Sequence, residues 1–214
     1  MQIITGKRGV SLARRHLPII YQGFDSFYDI PIEIQLGDFK STPKPSCYYW
    51  VRCDKVHYYL GYAFYHYRDW TSCIPAKPFD EHSHDFEGVL IQIPYYLPHN
   101  KPKSSAKIIT VYHHELKTET YDDDAKPTIL IEAQSHAISP SEPSDLSDSQ
   151  NYILTNNIRL VNIDSLGETW FETMRVEFNK HGVSMPDQWG HHGKYIGLFW
   201  TAPDDLFKLM FSEG

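Results

Sequence analysis

A dense group of candidate metal ligands lies in the segment DEHSHDFEGVLIQIP, residues 80–94. Its first eight residues contain two histidines and four carboxylates, and an apolar run follows at once. Hard oxygen ligands of this kind favour Mg²⁺, Ca²⁺ or Mn²⁺ over Zn²⁺. The residue types therefore indicate either a divalent-cation site or a solvated acidic loop at the entrance of a buried strand.

Alternation along an extended strand places Asp85 and Glu87 on the same face as Val89, Ile91 and Ile93. The three apolar residues need a core, so the two carboxylates are expected at the rim of that core face. Like charges repel there, and desolvation disfavours both ionised groups. A basic partner, a shared proton, full exposure at the strand end or a bound cation must therefore compensate.

Neighbouring segments supply more candidate ligands. His82 and His84 precede the two carboxylates, and Asp69 ends the strand-like segment YAFYHYRD. This segment would lie beside residues 85–93 if the loop 70–81 joins the two as an antiparallel pair. Three carboxylates with one or two histidines at such strand ends would form a site for a divalent cation.

Short segments rich in aromatic and β-branched residues must position these groups, and Pro-rich or polar breaks separate them. Two later segments carry helical signals, at about 165–182 and 202–211, the first with Ser165 and Glu168 at capping-box spacing. The fold class predicted is mainly β: a β-sandwich of mostly antiparallel strands with a few helices packed on its sides, as one domain over 1–214. The predicted strands are 47–55, 56–67, 88–94, 106–114, 127–133 and 157–163.

The acidic segment resembles the motif GHRHDWE of the necrosis- and ethylene-inducing-like cytolysins, secreted toxins that damage plant plasma membranes. The His-x-His-Asp-aromatic-Glu frame is kept, with Glu81, Ser83 and Phe86 in place of Gly, Arg and Trp. YAFYHYRD resembles the family strand YSWYFPKD, and EAQSHAI resembles a later segment that ends in NHAL. The resemblance covers roughly residues 45–190, and the Vps62-like proteins have a similar pattern.

The resemblance implies a β-sandwich in which a divalent cation takes part in recognising sphingolipid head groups. Carried over residue by residue, it implies that His84 supports the site. The implied ligands of Mg²⁺ or Ca²⁺, or of Mn²⁺, are Asp69, His82, Asp85, Glu87 and His136.

Composition excludes several other classes of protein. The net charge is −7 without a Lys/Arg block, so a nucleic-acid partner is not expected. No apolar run is long enough for a transmembrane segment, and the N-terminal residues lack the apolar stretch of a signal peptide. The localisation therefore stays open, and the protein would be secreted if the resemblance carries over. Cys47 and Cys53 are too far apart on one extended strand to pair, whereas Cys73 could pair with either.

Three functions follow from these residues. The first is a metal-dependent, cytolysin-like protein that binds a polar head group, such as a membrane-surface glycolipid or another sugar-bearing ligand. The second is a metal-dependent hydrolase, in which the cation activates water and His84 or His136 moves the proton. The third is a non-catalytic structural or interaction protein. No nucleophile constellation is evident, so the binding protein is favoured over the enzyme.

Overall fold

The computed structural model shows a β-sandwich with helical segments on its sides. The strands of its larger sheet carry apolar residues on both faces, so other segments pack against that sheet from both sides. The structure describes residues 1–23, 30–33, 44–69, 82–95, 105–112, 115–133, 136–140, 152–154, 157–167, 169–170, 173–174, 176 and 203–212.

Within these residues, seven strands form the larger sheet, sheet A. They are β1 (Gln2–Ile3), β3 (Ser46–Cys53), β4 (His57–Asp69), β5 (His82–Pro94), β6 (Ser105–Tyr112), β7 (Glu115–Asp122) and β11 (Arg159–Asn162). Their order in the sheet is β1-β3-β4-β5-β6-β7, with β11 also beside β3. Every pair is antiparallel except β11 with β3.

The smaller sheet, sheet B, has the order β10-β2-β8-β9 in the described part of the chain. Its central pair, β2 with β8, is parallel, and the outer pairs are antiparallel. Sheet B thus combines segments from distant parts of the chain. Its strands are β2 (Ile19–Gly23), β8 (Thr128–Ile131), β9 (Ile138–Ser139) and β10 (Tyr152–Leu154).

Sheet A is covered on both faces. On one face, Leu60, Tyr62 and Phe64 of β4 belong to the same buried cluster as Ile129 of β8 and Ile138 of β9. On the other face, the intervening residues of β4 pack in a second cluster with residues from the C-terminal part of the chain. This explains why β4 has apolar and aromatic residues at both parities, as a strand covered on both faces requires.

Two α-helices have complete bounds: α1 (Gly6–His16) and α2 (Pro203–Ser212). Tyr62 fixes α1 on sheet A by donating a hydrogen bond to the carbonyl oxygen of Ala13 at 2.8 Å. Pro203 opens α2 with Asp204 and Asp205 in its first turn, where negative charge is favourable.

The predicted helix 165–182 differs at its start. A 3₁₀ turn occupies Ile163–Ser165, and its cap is Asn162, whose side chain accepts a hydrogen bond from the Asp164 amide at 2.9 Å. Ser165 therefore lies inside this turn and does not cap a following helix. Beyond it, the helical conformation is present at each described residue from Gly167 to Val176, and residues 177–182 lie outside the described residues.

Four further expectations are refined. The predicted strand 106–114 is β6 and ends at Tyr112, and the sequence reading missed the partner strand β7. The reading also missed α1 and β2. The strand that carries the acidic segment begins at His82, well before the predicted position 88.

Cys47 and Cys53 are both free thiols, and burial raises the pKa of Cys47; Cys73 lies outside the described residues.

Candidate metal centre

Strands β4 and β5 form the antiparallel pair that the acidic segment requires. Asp69, the last residue of β4, is the Cα partner of His82, the first residue of β5. Asp85 lies opposite His66 in the same register. The end of one strand therefore meets the start of the next, which brings the motif segments to one end of sheet A.

The core face of β5 follows the expected alternation. Val89, Ile91 and Ile93 are buried in the cluster between the two sheets. Glu87 continues this series toward the strand start, is half-buried, and lies opposite Phe64. Its carboxylate is thus at the rim of the core face, where a charged group is expected to have a compensating partner.

His136 reaches the same end of the molecule from the connection between β8 and β9. Its side chain is fully buried, and its backbone φ is 51°, in the left-handed region that costs a residue with a side chain on the order of 1–3 kcal/mol. The amide of Glu132 donates a hydrogen bond to the carbonyl oxygen of Ala137 at 3.1 Å, which joins the two ends of this connection. The local strain is retained because the surrounding structure holds the ring in place.

The imidazole of His136 is stacked on that of His66 of β4. The ring centroids are 3.8 Å apart and the planes differ by 6°. Because His66 is the register partner of Asp85, the stack places His136 beside the acidic segment. The fold thus brings together two histidines that are far apart in the sequence.

Burial dominates the electrostatics of this pair. Desolvation, and secondarily the adjacent His136, holds the pKa of His66 well below its usual range, so the ring is neutral near pH 7. Among the described residues, neither ring nitrogen of His66 has a hydrogen-bond partner. A neutral imidazole has one donor and one acceptor nitrogen, so the buried ring can still bind a ligand or an ordered water.

The predicted ligands differ in how much the structure describes of them. The strand positions of Asp69, His82, His84 and Asp85 are described, whereas their side chains lie outside the described part of the chain. Glu87 and His136 are described with their side chains. The structure therefore brings the predicted segments to one end of sheet A, and the ligand set remains a prediction.

A second acidic group lies elsewhere. Asp122, Asp123 and Asp124 have carboxylate oxygens within 4.8 Å of one another, and Asp124 forms an exposed ion pair with Arg15 at 3.2 Å. Asp122 is paired with Ser105, beyond the end of the β5–β6 register that holds Gln92. This acidic turn is therefore at the end of sheet A opposite to Asp85. Its geometry could hold a cation, but it is separate from the predicted site.

His66 is the residue that the sequence reading missed. The signal was a histidine inside the segment 58–67, whose other residues are aromatic, apolar or glycine. A histidine there must be buried, and a buried imidazole needs a partner. The family strand YSWYFPKD, aligned on YAFYHYRD, has Phe at this position.

Comparison with known proteins supports the fold. No family model matches the chain, and no curated protein does. A mutant of NLPPya is 15% identical with a TM-score of 0.50, over 87% of this chain and 88% of that one. A structure described as a toxin fold for microbial attack and plant defense is 12% identical with a TM-score of 0.50, over 87% and 88%. NLPPya in complex with glucosamine is 14% identical with a TM-score of 0.49, over 90% of each chain.

The architecture is therefore the β-sandwich of the necrosis- and ethylene-inducing toxins, as the motif resemblance predicted. At these identities the similarity defines the fold. The function must be argued from the residues at the site.

Proposed function

We propose that this protein is a cation-dependent, cytolysin-like binding protein that recognises the polar head group of a glycosylated lipid at a membrane surface. The observation that carries the proposal is the meeting of His136 with the β4–β5 end that contains the acidic motif, within the toxin fold. Among the described residues, no helix is long and apolar enough to cross a bilayer. Binding at a membrane surface needs none.

The residues present fit a divalent cation. Glu87 is half-buried at the rim of the core, and the strained backbone of His136 fixes a buried imidazole at the same end. Together with the predicted ligands Asp69, His82 and Asp85, these groups would hold the ion. When bound, the ion would supply a Lewis-acidic contact for hydroxyl or phosphate oxygens of a head group.

The side chains at the β4–β5 end would have different roles in the site. The carboxylates of Asp69, Asp85 and Glu87 would repel one another in the empty site, and the ion would offset most of their charge when bound. The stacked histidines form the wall toward the apolar core. The alternative, hydrolysis by a water molecule that the ion would activate, would need His84 or His136 to move the proton.

The proposal is tested with vesicles of phosphatidylcholine, with and without a glycosylated sphingolipid. After EDTA treatment, the wild-type chain should bind only the glycolipid vesicles and only after a divalent cation from a panel of Mg²⁺, Ca²⁺, Mn²⁺ and Zn²⁺ is returned. Asp85→Asn should abolish the cation-dependent binding in a co-sedimentation assay. Glu119→Gln, an exposed position on β7, is the matched control and should bind as the wild type does.

Two outcomes would contradict the proposal. Binding that is unchanged by EDTA, or by Asp85→Asn, would remove the cation from recognition. Metal-dependent release of head-group product that is lost in Glu87→Gln would establish the hydrolase instead.

A further inference from the structure

The exposed face of helix α1 carries a row of cations. The helix has four Lys or Arg residues and no Asp or Glu, in a chain whose Asp and Glu outnumber Lys and Arg by 27 to 20. At 3.6 residues per turn these four cations share one exposed face with a serine, opposite the buried residues of the helix. This face is the basic stripe of α1, formed by Lys7, Arg8, Ser11, Arg14 and Arg15.

Contacts within the protein do not account for these charges. Among the described residues, Lys7, Arg8 and Arg14 have no carboxylate partner. Arg15 pairs with Asp124 at 3.2 Å, but both side chains are 62% exposed, so the pair is weak and a ligand can compete for it. Lys7 and Arg8 lie in the first turn, where the helix dipole disfavours cations, so helix stability does not explain them either.

Two tyrosines hold Arg8 in a fixed position at the start of the basic stripe. Its guanidinium donates a hydrogen bond to the phenol oxygen of Tyr58 and lies 5.7 Å from the centroid of that ring. Tyr95 packs edge-on against Tyr58, with ring centroids 4.9 Å apart. Hydrogen bonds with the phenols of Tyr58 and, secondarily, Tyr95 raise the pKa of Arg8. A guanidinium has five N–H groups, so Arg8 keeps donors for a ligand while its orientation is already fixed.

This arrangement fits a partner with repeated negative charges. From Lys7 to Arg15 the cations span about 12 Å along the helix axis, so a small anion can contact only part of the row. A guanidinium donates two parallel N–H groups to a carboxylate or sulfate group, and a phenol can form hydrogen bonds with sugar hydroxyls. The apolar side chains of α1 pack against the core, so its exposed face has none to insert into a bilayer.

We propose that the basic stripe of α1, with Arg8 at its tyrosine-held end, binds a linear anionic polysaccharide, either carboxylated or sulfated. Tyr58 is the second residue of β4, and Asp124 follows the end of β7. The basic stripe therefore lies at the end of sheet A away from Asp85, and the two sites are independent. A glycan bound to α1 would hold the protein in place while the β4–β5 end stays free.

The test measures binding of the full chain, in EDTA, to immobilised polygalacturonate, dextran sulfate and neutral dextran by biolayer interferometry. The wild type should bind one or both charged polymers but not dextran, and which one it binds identifies the anionic group. Its affinity should fall as NaCl is added, because salt screens exposed charges. Arg8→Gln combined with Arg14→Gln should weaken binding roughly 30-fold, the effect of two cations at an anionic surface.

A second double variant, Lys44→Gln with Arg159→Gln, is the matched control. It also removes two exposed cations, beside the start of β3, and should bind as the wild type does. Tyr58→Phe keeps the charge of Arg8 but removes the phenol that holds it, and should weaken binding by about two- to tenfold. If the Arg8 and Arg14 variant does not fold, amide NMR of the wild type decides, since oligogalacturonate should shift the resonances of α1.

Several outcomes would overturn this inference. Equal losses in the two double variants, or binding that NaCl does not weaken, would show that the basic stripe is not the binding surface. Binding to phosphatidylserine vesicles or to DNA, without binding to either charged polymer, would assign α1 to another class of partner. Unchanged binding by Tyr58→Phe would remove the fixed orientation of Arg8 from recognition. The Arg8 and Arg14 variant should still bind glycolipid vesicles, so a failure at α1 leaves the proposed function intact.

Discussion

Single histidines differ in this protein according to what surrounds them, and His16 shows the effect of burial most directly. It ends α1, is 4% exposed, and has its pKa lowered to about 4. Desolvation is the main cause, and the charges of Arg15 and Lys126 add to it. The folded state therefore keeps this ring neutral where an unfolded chain would protonate it.

This shift predicts a loss of stability on acidification. Between pH 6.5 and about 4 the unfolded chain binds a proton at His16 that the folded chain does not bind, so the free energy of unfolding falls as the pH falls. The loss in the free energy of unfolding reaches about 3 kcal/mol in total, since each pKa unit corresponds to about 1.4 kcal/mol. Above pH 6.5 this loss is absent. Urea unfolding at pH 4.5 and 7.5 measures it.

His16→Leu should flatten the pH dependence relative to the wild type. A wild type and a His16→Leu variant with the same slope between these pH values would show that the ring does not remain neutral in the folded state.

At the scale of the elements, the close approach of β3 and β4 depends on one glycine. Gly61 is the register partner of Trp50, whose ring lies over it and is completely buried. A Cβ at position 61 would be 2.2 Å from an atom of that ring. The indole of Trp50 therefore occupies the space that a side chain at position 61 would need, and the two strands pack closely there.

Gly61→Ala should consequently destabilise the protein by about 1–3 kcal/mol or more, because the Trp50 ring must move in a dense core. Gly88→Ala is the matched control on the adjacent strand, since among the described residues its Cβ would meet only the carbonyl oxygen of Tyr62 at 3.6 Å. Its free energy of unfolding should change by less than about 1 kcal/mol. Equal effects of the two substitutions, measured by chemical denaturation, would refute the role given to the indole.

The sequence predicts those elements whose signal is local. The apolar and aromatic residues at both parities of β4 and the charged start of β5 are visible in short windows, and the antiparallel pairing of these two strands follows from them. Helix α1 is amphipathic, with Gly9, Ala13 and His16 on its buried face, but its two glycines weaken the helical signal. Tyr62 holds this helix on sheet A. The stack of His66 on His136 could not be predicted, because it depends on how the two sheets face each other.

At the scale of the whole molecule, Arg52 joins segments from both ends of the chain. Its guanidinium donates two hydrogen bonds to Asp164, each 2.7 Å long, and lies 3.5 Å from Asp204 of α2. The amino group of Met1 forms an ion pair with the same Asp204 at 2.9 Å. Arg52 is only 4% exposed, so this network fixes α2 and the 3₁₀ turn against sheet A.

Arg52→Met should cost about 3–5 kcal/mol, because it leaves the charge of Asp164 without its buried partner. The double variant Arg52→Met with Asp164→Leu should recover much of that loss. Arg15→Met breaks an exposed ion pair with Asp124 and should cost less than about 1 kcal/mol. Thermal and urea unfolding check all three, and a small effect of Arg52→Met alone would contradict the network.

The parallel pairing of β2 with β8 has a consequence for the order of assembly. Strands β3 to β7 of sheet A pair in chain order, whereas sheet B must bring together remote segments, which is slow and entropically costly. Sheet B is therefore expected to form late in folding and to open early in partial unfolding. Since His136 lies in the connection from β8 to β9, the proposed cation site would be completed last and lost first, while the β4–β5 hairpin is still intact.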